Sequence, residues 1–143
     1  MALRLSLLIV MLLALASAAR AQDADMPAAE RQAIRDVIQS QVEAFQRDDG
    51  AAAFGYASPE IQRLFGTPEV FMQMVRQGYQ PVYRPRRFDF EEIVTLNGQP
   101  AQKVHVVGPD GRPVTAFYPM RRLPDGSWRI DGCFLKAPDE HQA

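Results

Sequence analysis

Residues 86–122 read RRFDFEEIVTLNGQPAQKVHVVGPDGRPVTAFYPMRR, and the alternation of apolar with polar side chains along this stretch decides the fold. A period of two is that of a β-strand with one buried face. Asn97-Gly98 and Gly108-Pro109-Asp110-Gly111 interrupt the alternation as hairpin turns, and Pro124-Asp125-Gly126 adds another. These signals predict strands over residues 86–96, 101–107, 112–122 and 127–135, an antiparallel meander of about four strands.

Strict alternation gives this sheet one heavy face, with Phe88, Phe90 and Val94, then Val104 and Val106, then Val114, Ala116, Tyr118 and Met120, then Trp128, Ile130 and Phe134. Gln102 falls on the same face and marks the polar end of a pocket. The opposite face carries Ile93, His105, Val107, Thr115, Phe117, Arg129, Asp131, Cys133 and Leu135, more apolar than a fully solvated face should be. It is expected to be half covered.

Upstream the period is helical. Ile34, Val37, Ile38, Val42 and Phe45 recur at three- and four-residue steps from Glu30 through Asp48, one apolar face of a long helix. A short helical piece is expected over residues 51–56. Ser58-Pro59-Glu60 and Thr67-Pro68-Glu69 then repeat one helix-start signature: a hydroxyl to cap, proline at the first helical position, a carboxylate in the first turn. Gly66 and Gly78 stand where helix ends belong. Helices first and strands afterwards is the order of an α+β domain.

The ends read differently. Arg4, the apolar run LSLLIVMLLALA and the small-x-small site Ala19-Arg20-Ala21 form the pattern of a signal peptide over residues 1–21. The run is too short to span a bilayer, which takes about 20 residues, so no membrane anchor is expected after cleavage and the product is expected in the periplasm or outside the cell. Residues 22–29 read as a flexible lead-in, 30–136 as one domain and 137–143 as a disordered tail. About 120 residues would follow the cleavage site, enough for one ordinary core.

Composition excludes several function classes. The chain holds 16 basic and 17 acidic residues, the wrong balance for a dedicated nucleic-acid binder. One cysteine forms no internal disulfide, and His105 and His141 stand too far apart to suggest metal-ligand spacing, so no cofactor or metal is implied.

The helix ending in DDGAAAF (48–54), the short helices and a last strand containing SWRIDG (127–132) resemble the SnoaL-like, nuclear-transport-factor-like superfamily. Its fold is a cone of α+β structure. Within it, QVEAFQRDD, YASPEIQRLFG, FMQMV, YRPRRF and WRIDGCFL resemble a family of exported bacterial proteins described only as a domain of unknown function. The superfamily holds ketosteroid isomerase, polyketide cyclases, dehydratases and many non-catalytic modules. The resemblance therefore implies a pocket between helices and sheet, but no particular reaction, and no catalytic residue carries over.

Candidate residues follow from chemistry. Strict alternation aims Glu92 into the cone, where a carboxylate would have a raised pKa suited to acid or base catalysis; two consecutive glutamates instead favour a β-bulge that turns both outward. Tyr56, Tyr79, Tyr83 and Tyr118 are candidate phenol donors, and more ordinarily buried aromatics. Tyr56, Phe88, Phe90, Gln102, Tyr118 and Trp128 are the candidate pocket lining. Arg84, Arg86 and Arg87, with Arg121 and Arg122, form a basic cluster for an anion, or a solvated edge that deters aggregation. Ile93, His105, Val107, Phe117, Cys133 and Leu135 are the candidate face of a homodimer. Cys133, with no base or helix N-terminus to activate it, reads as a packing residue. Three readings follow: a non-catalytic module binding a small molecule or a protein partner, an isomerase or dehydratase using Glu92 or a tyrosine, and a structural homodimer.

Overall fold

A computed structural model of the protein describes residues 25–138. The expected signal segment, and the tail beyond residue 138, lie outside the described residues. The chain is α+β, with helices preceding an open antiparallel sheet.

Helix α1 spans Ala28–Gln46 and buries Ile34, Ile38, Val42 and Phe45 on one stripe. It begins two residues ahead of Glu30 and ends before Asp48, which takes a positive φ of 53° that aspartate tolerates better than most residues. Three short helices follow, each opened by a side-chain cap. Asp49 accepts from the Ala52 N–H at the start of α2 (Gly50–Gly55). Ser58 accepts from Ile61 at the start of α3 (Pro59–Phe65), and Thr67 from Val70 at the start of α4 (Pro68–Gly78). Each such cap contributes about 1 kcal/mol. The one-turn helix α5 (Gln80–Tyr83) leads into the sheet. No helix among the described residues is long and apolar enough to cross a membrane.

Strands β1 (Arg87–Leu96), β2 (Gln99–Val107), β3 (Pro113–Arg122) and β4 (Trp128–Ile130) pair in sequence order, and β5 (Phe134–Lys136) returns to pair with β3. The β1–β2 turn places Asn97 at φ 50° and Gly98 at φ 75°, the left-handed pair that a tight hairpin requires. Two irregularities break the expected alternation.

The first is a bulge in β1: Phe90 faces Val104 and Ile93 faces Gln102, so Glu91 and Glu92 together face Lys103. The Lys103 ammonium lies 3.8 Å from Glu91 and 3.6 Å from Glu92, and Gln102 Nε2 donates to the Glu91 carbonyl at 2.7 Å. Beyond the bulge the parity reverses. Ile93 is fully buried in the core, and Val94 takes the other face.

The second lies in the last strand, expected as one run over residues 127–135. Met120 faces Ile130 and Phe117 faces Phe134, which leaves Asp131, Gly132 and Cys133 opposite only Tyr118 and Pro119. Pro119 has no N–H to offer the ladder, so the neighbouring strand detaches there and divides into β4 and β5. The extra residue turns Leu135 and Cys133 toward the core and leaves Phe134 56 % exposed.

The main core lies between α1 and the sheet, where Ile34 and Ile38 meet Ile93, Val104, Val106, Ala116 and Tyr118. Burying a side chain of this size stabilises the fold by about 1.5–3 kcal/mol. A second cluster joins α1, α2 and α4 through Phe45, Phe54, Phe71 and Val75.

Candidate functional site: an apolar cavity at the strand break

Where the last strand detaches, the sheet and the short helices enclose a cavity of about 340 Å³. Helix α1 contributes Gln41 and Phe45, α3 contributes Ile61, Leu64 and Phe65, and α4 contributes Phe71, Met74 and Val75. Tyr79 and Val82 close one side, and Tyr118, Ile130 and residues 131–134 form the sheet wall. Leu64, 73 % exposed, and Phe134 stand at its rim. Exposed aliphatic and aromatic side chains at a cavity mouth are characteristic of a site that admits apolar molecules.

Polar groups at the wall are few. Gln41 is buried and spends its amide on the Ala53 carbonyl at 3.1 Å. Asp131 accepts from Ser58 Oγ at 2.6 Å, Gln99 Nε2 at 2.7 Å and Arg121 at 3.3 Å. Burial opposes the charge on Asp131, but the hydrogen bonds from Ser58 and Gln99 and the Arg121 guanidinium outweigh it and hold the pKa below the usual 3.8. Arg121 also grips both oxygens of Glu60, at 2.5 and 2.9 Å, so this network ties the start of α3 to the sheet.

Cys133 and Tyr118 stand together at the cavity wall. Burial pushes the Cys133 thiol up to about 12, with the nearby Tyr118 hydroxyl drawing it back slightly. Burial also raises the Tyr118 phenol well above 10.0, and raises Tyr79, each reinforced by Cys133. These groups stay protonated at neutral pH, so the thiol is no nucleophile there and neither phenol a base.

The residues singled out in the sequence distribute as follows. Of the expected pocket lining, Tyr118 reaches the cavity wall. Phe88 and Phe90 pack on the main core from β1, and Tyr56 packs on it from the end of α2. Trp128 belongs to that core and donates its indole N–H to Glu30 at 2.7 Å. Gln102 is buried beneath the β1 bulge. Glu92 is exposed and paired with Lys103, because the bulge turns it away from the interior.

The arginines are engaged separately. Arg84 donates to the Phe45 carbonyl and to Asp48, Arg87 pairs with Asp89 at 2.6 Å, and the Arg86 guanidinium lies close to Gly111. Arg122 pairs with Glu30 at 3.2 Å. The supposed dimer face also divides: Ile93, Cys133 and Leu135 turn inward, while His105, Val107 and Phe117 stay half-buried on the far face of the sheet. Among the described residues no group of His, Cys, Asp and Glu stands close enough to hold a metal ion.

Sequence reasoning missed most of the cavity, since its wall draws on four helices, the loops between them and the strand break. The starts of α3 and α4 were legible; that α3 buries no residue and leaves Leu64 exposed at a cavity mouth was not.

No curated protein and no solved structure matches the chain. One family model does, over residues 27–143, which takes in every helix, strand and cavity residue described above, and on that match the chain belongs to the family described as domain of unknown function DUF4864.

Proposed function

We propose that this protein is an exported, non-catalytic module of the SnoaL-like, nuclear-transport-factor-like kind that binds a small, largely apolar ligand in the cavity at the strand break. The observation that carries this reading is the cavity itself: about 340 Å³, walled by aromatic and aliphatic side chains, with its one carboxylate already engaged by three partners. The cone-like reading draws support from the order of one long helix, short helices and an antiparallel sheet. Export draws support from the sequence of residues 1–21 alone. An isomerase or dehydratase loses its strongest candidate base with Glu92 in solvent.

Titration with Nile red tests the reading. The dye should bind saturably at one site per chain, and Ile61→Trp, which fills the cavity from α3, should abolish that binding while the far-ultraviolet circular dichroism stays unchanged. A dye signal that never saturates, or that survives Ile61→Trp, counts against it.

A homodimer through the far face of the sheet is the second reading, favoured by Phe117 and the exposed Phe134 side by side in register. Sedimentation as a monomer at micromolar concentration ends it.

A further inference from the structure

The polar side chains on the wall of the cavity are few and mostly spent. Gln41 gives its amide to the Ala53 carbonyl, and Asp131 accepts from Ser58, Gln99 and Arg121. The Tyr118 hydroxyl is buried against the Cys133 thiol and presents almost no surface. A pocket that orients a polar molecule does so with several free groups converging on it. This wall instead offers contact area, from Phe45, Ile61, Phe71, Met74, Val75 and Ile130. Such a wall suits a ligand that needs no orienting inside, a plain hydrocarbon chain.

Volume and opening narrow the choice. A methylene takes nearly the space of a water molecule, about 30 Å³ in the liquid. The 340 Å³ of the cavity therefore holds one chain of about eleven carbons, and not the two chains of a diacyl lipid. Leu64 and Phe134 line the cavity yet remain 73 % and 56 % exposed, so it meets solvent at these two side chains. No lysine, arginine or histidine lines the wall, and its one carboxylate is engaged. A charged or polar head would lose its hydration by entering and gain no partner.

We propose, on the binding reading above, that the ligand is a single-chain amphiphile, whose one hydrocarbon tail enters past Leu64 and Phe134 and fills the cavity while its head stays in water. The exposed rim side chains then cover the carbons nearest the head, and the aromatic and aliphatic wall covers the rest.

Calorimetric titration with the alkyl maltosides from hexyl to tetradecyl, each below its micelle concentration, tests this. Affinity should rise about fourfold per methylene and level off at about eleven carbons. Leu64→Ser, with unchanged circular dichroism, should weaken every homologue about fivefold while the step per methylene stays the same. Decyltrimethylammonium should bind within about threefold of decyl maltoside, since both heads remain in water. Affinity independent of chain length, while Nile red still binds at one site, overturns the tail and leaves the cavity reading standing. A rise that continues undiminished through tetradecyl places the chains on the surface and overturns it too. A difference of more than about tenfold between the two decyl heads shows the wall holding the head, and unchanged binding to Leu64→Ser removes the entry at the rim; either result overturns the proposal. If neither Nile red nor any homologue binds, the cavity reading itself falls.

Discussion

Pro119 accepts a hydrogen bond from the Asp131 N–H at 2.8 Å but has none to return, and this one-way pairing marks the point where the last strand leaves the sheet. The cavity opens beside that point. If the missing donor causes the break, Pro119→Val should let the ladder close. The amide introduced at position 119 is then expected to exchange about a hundredfold or more slowly than an unprotected one. Fast exchange there would assign the break to some other cause.

Ser58 serves two structures at once, capping α3 through Ile61 and donating to Asp131 at 2.6 Å. Ser58→Ala removes both, and chemical denaturation should show a loss of about 1–3 kcal/mol. A change within about 0.5 kcal/mol, typical of surface substitutions, would mean that the tie between α3 and the sheet contributes nothing.

Asp131 sets the acid side of stability. Its pKa in the folded chain lies below 3.8, so the unfolded chain binds its proton more readily. The resulting stabilisation is fully present above that value and fades as the pH falls through the lower, folded pKa. Asp131→Asn should flatten the loss of stability below pH 4 while leaving the slope between pH 5 and 8 unchanged, as read from denaturation midpoints across pH.

Cys133 answers in the opposite direction. With its pKa raised from 9.0 to about 12, the folded chain holds its proton where the unfolded chain releases it. Its contribution to stability is constant at low pH and declines above pH 9.0 toward about 12. At pH 8 the native thiol should react with iodoacetamide roughly a hundredfold more slowly than in the unfolded chain. Comparable rates would place the thiol in solvent.

Gln102 holds the β1 bulge by donating to the Glu91 and Lys103 carbonyls at 2.7 and 2.8 Å. Gln102→Leu leaves both without that donor in the interior, and a loss of about 2 kcal/mol is expected from equilibrium unfolding. A neutral result would show that water enters the bulge.

The contrast between the helices and the last strand shows what the sequence disclosed. Ser58-Pro59 and Thr67-Pro68 announce their helices because a cap acts within three residues of its own position. The turns at Asn97-Gly98 and Gly126 are equally local. Pro119 acts across the sheet, on residues 131–133, so nothing in WRIDGCFL itself reveals that Cys133 and Leu135 turn inward. The glutamate pair did carry a hint of its bulge, since two adjacent carboxylates fit poorly on alternate faces. Lys103 opposite them was visible only once the register was known.

The central claim is that the cavity holds a small molecule. Native mass spectrometry on the protein purified gently from its own source, beside Ile61→Trp prepared identically, tests it most directly. The account predicts one adduct of defined mass on the wild-type chain, absent from Ile61→Trp. An unadorned wild-type chain that also fails to take up Nile red would contradict it.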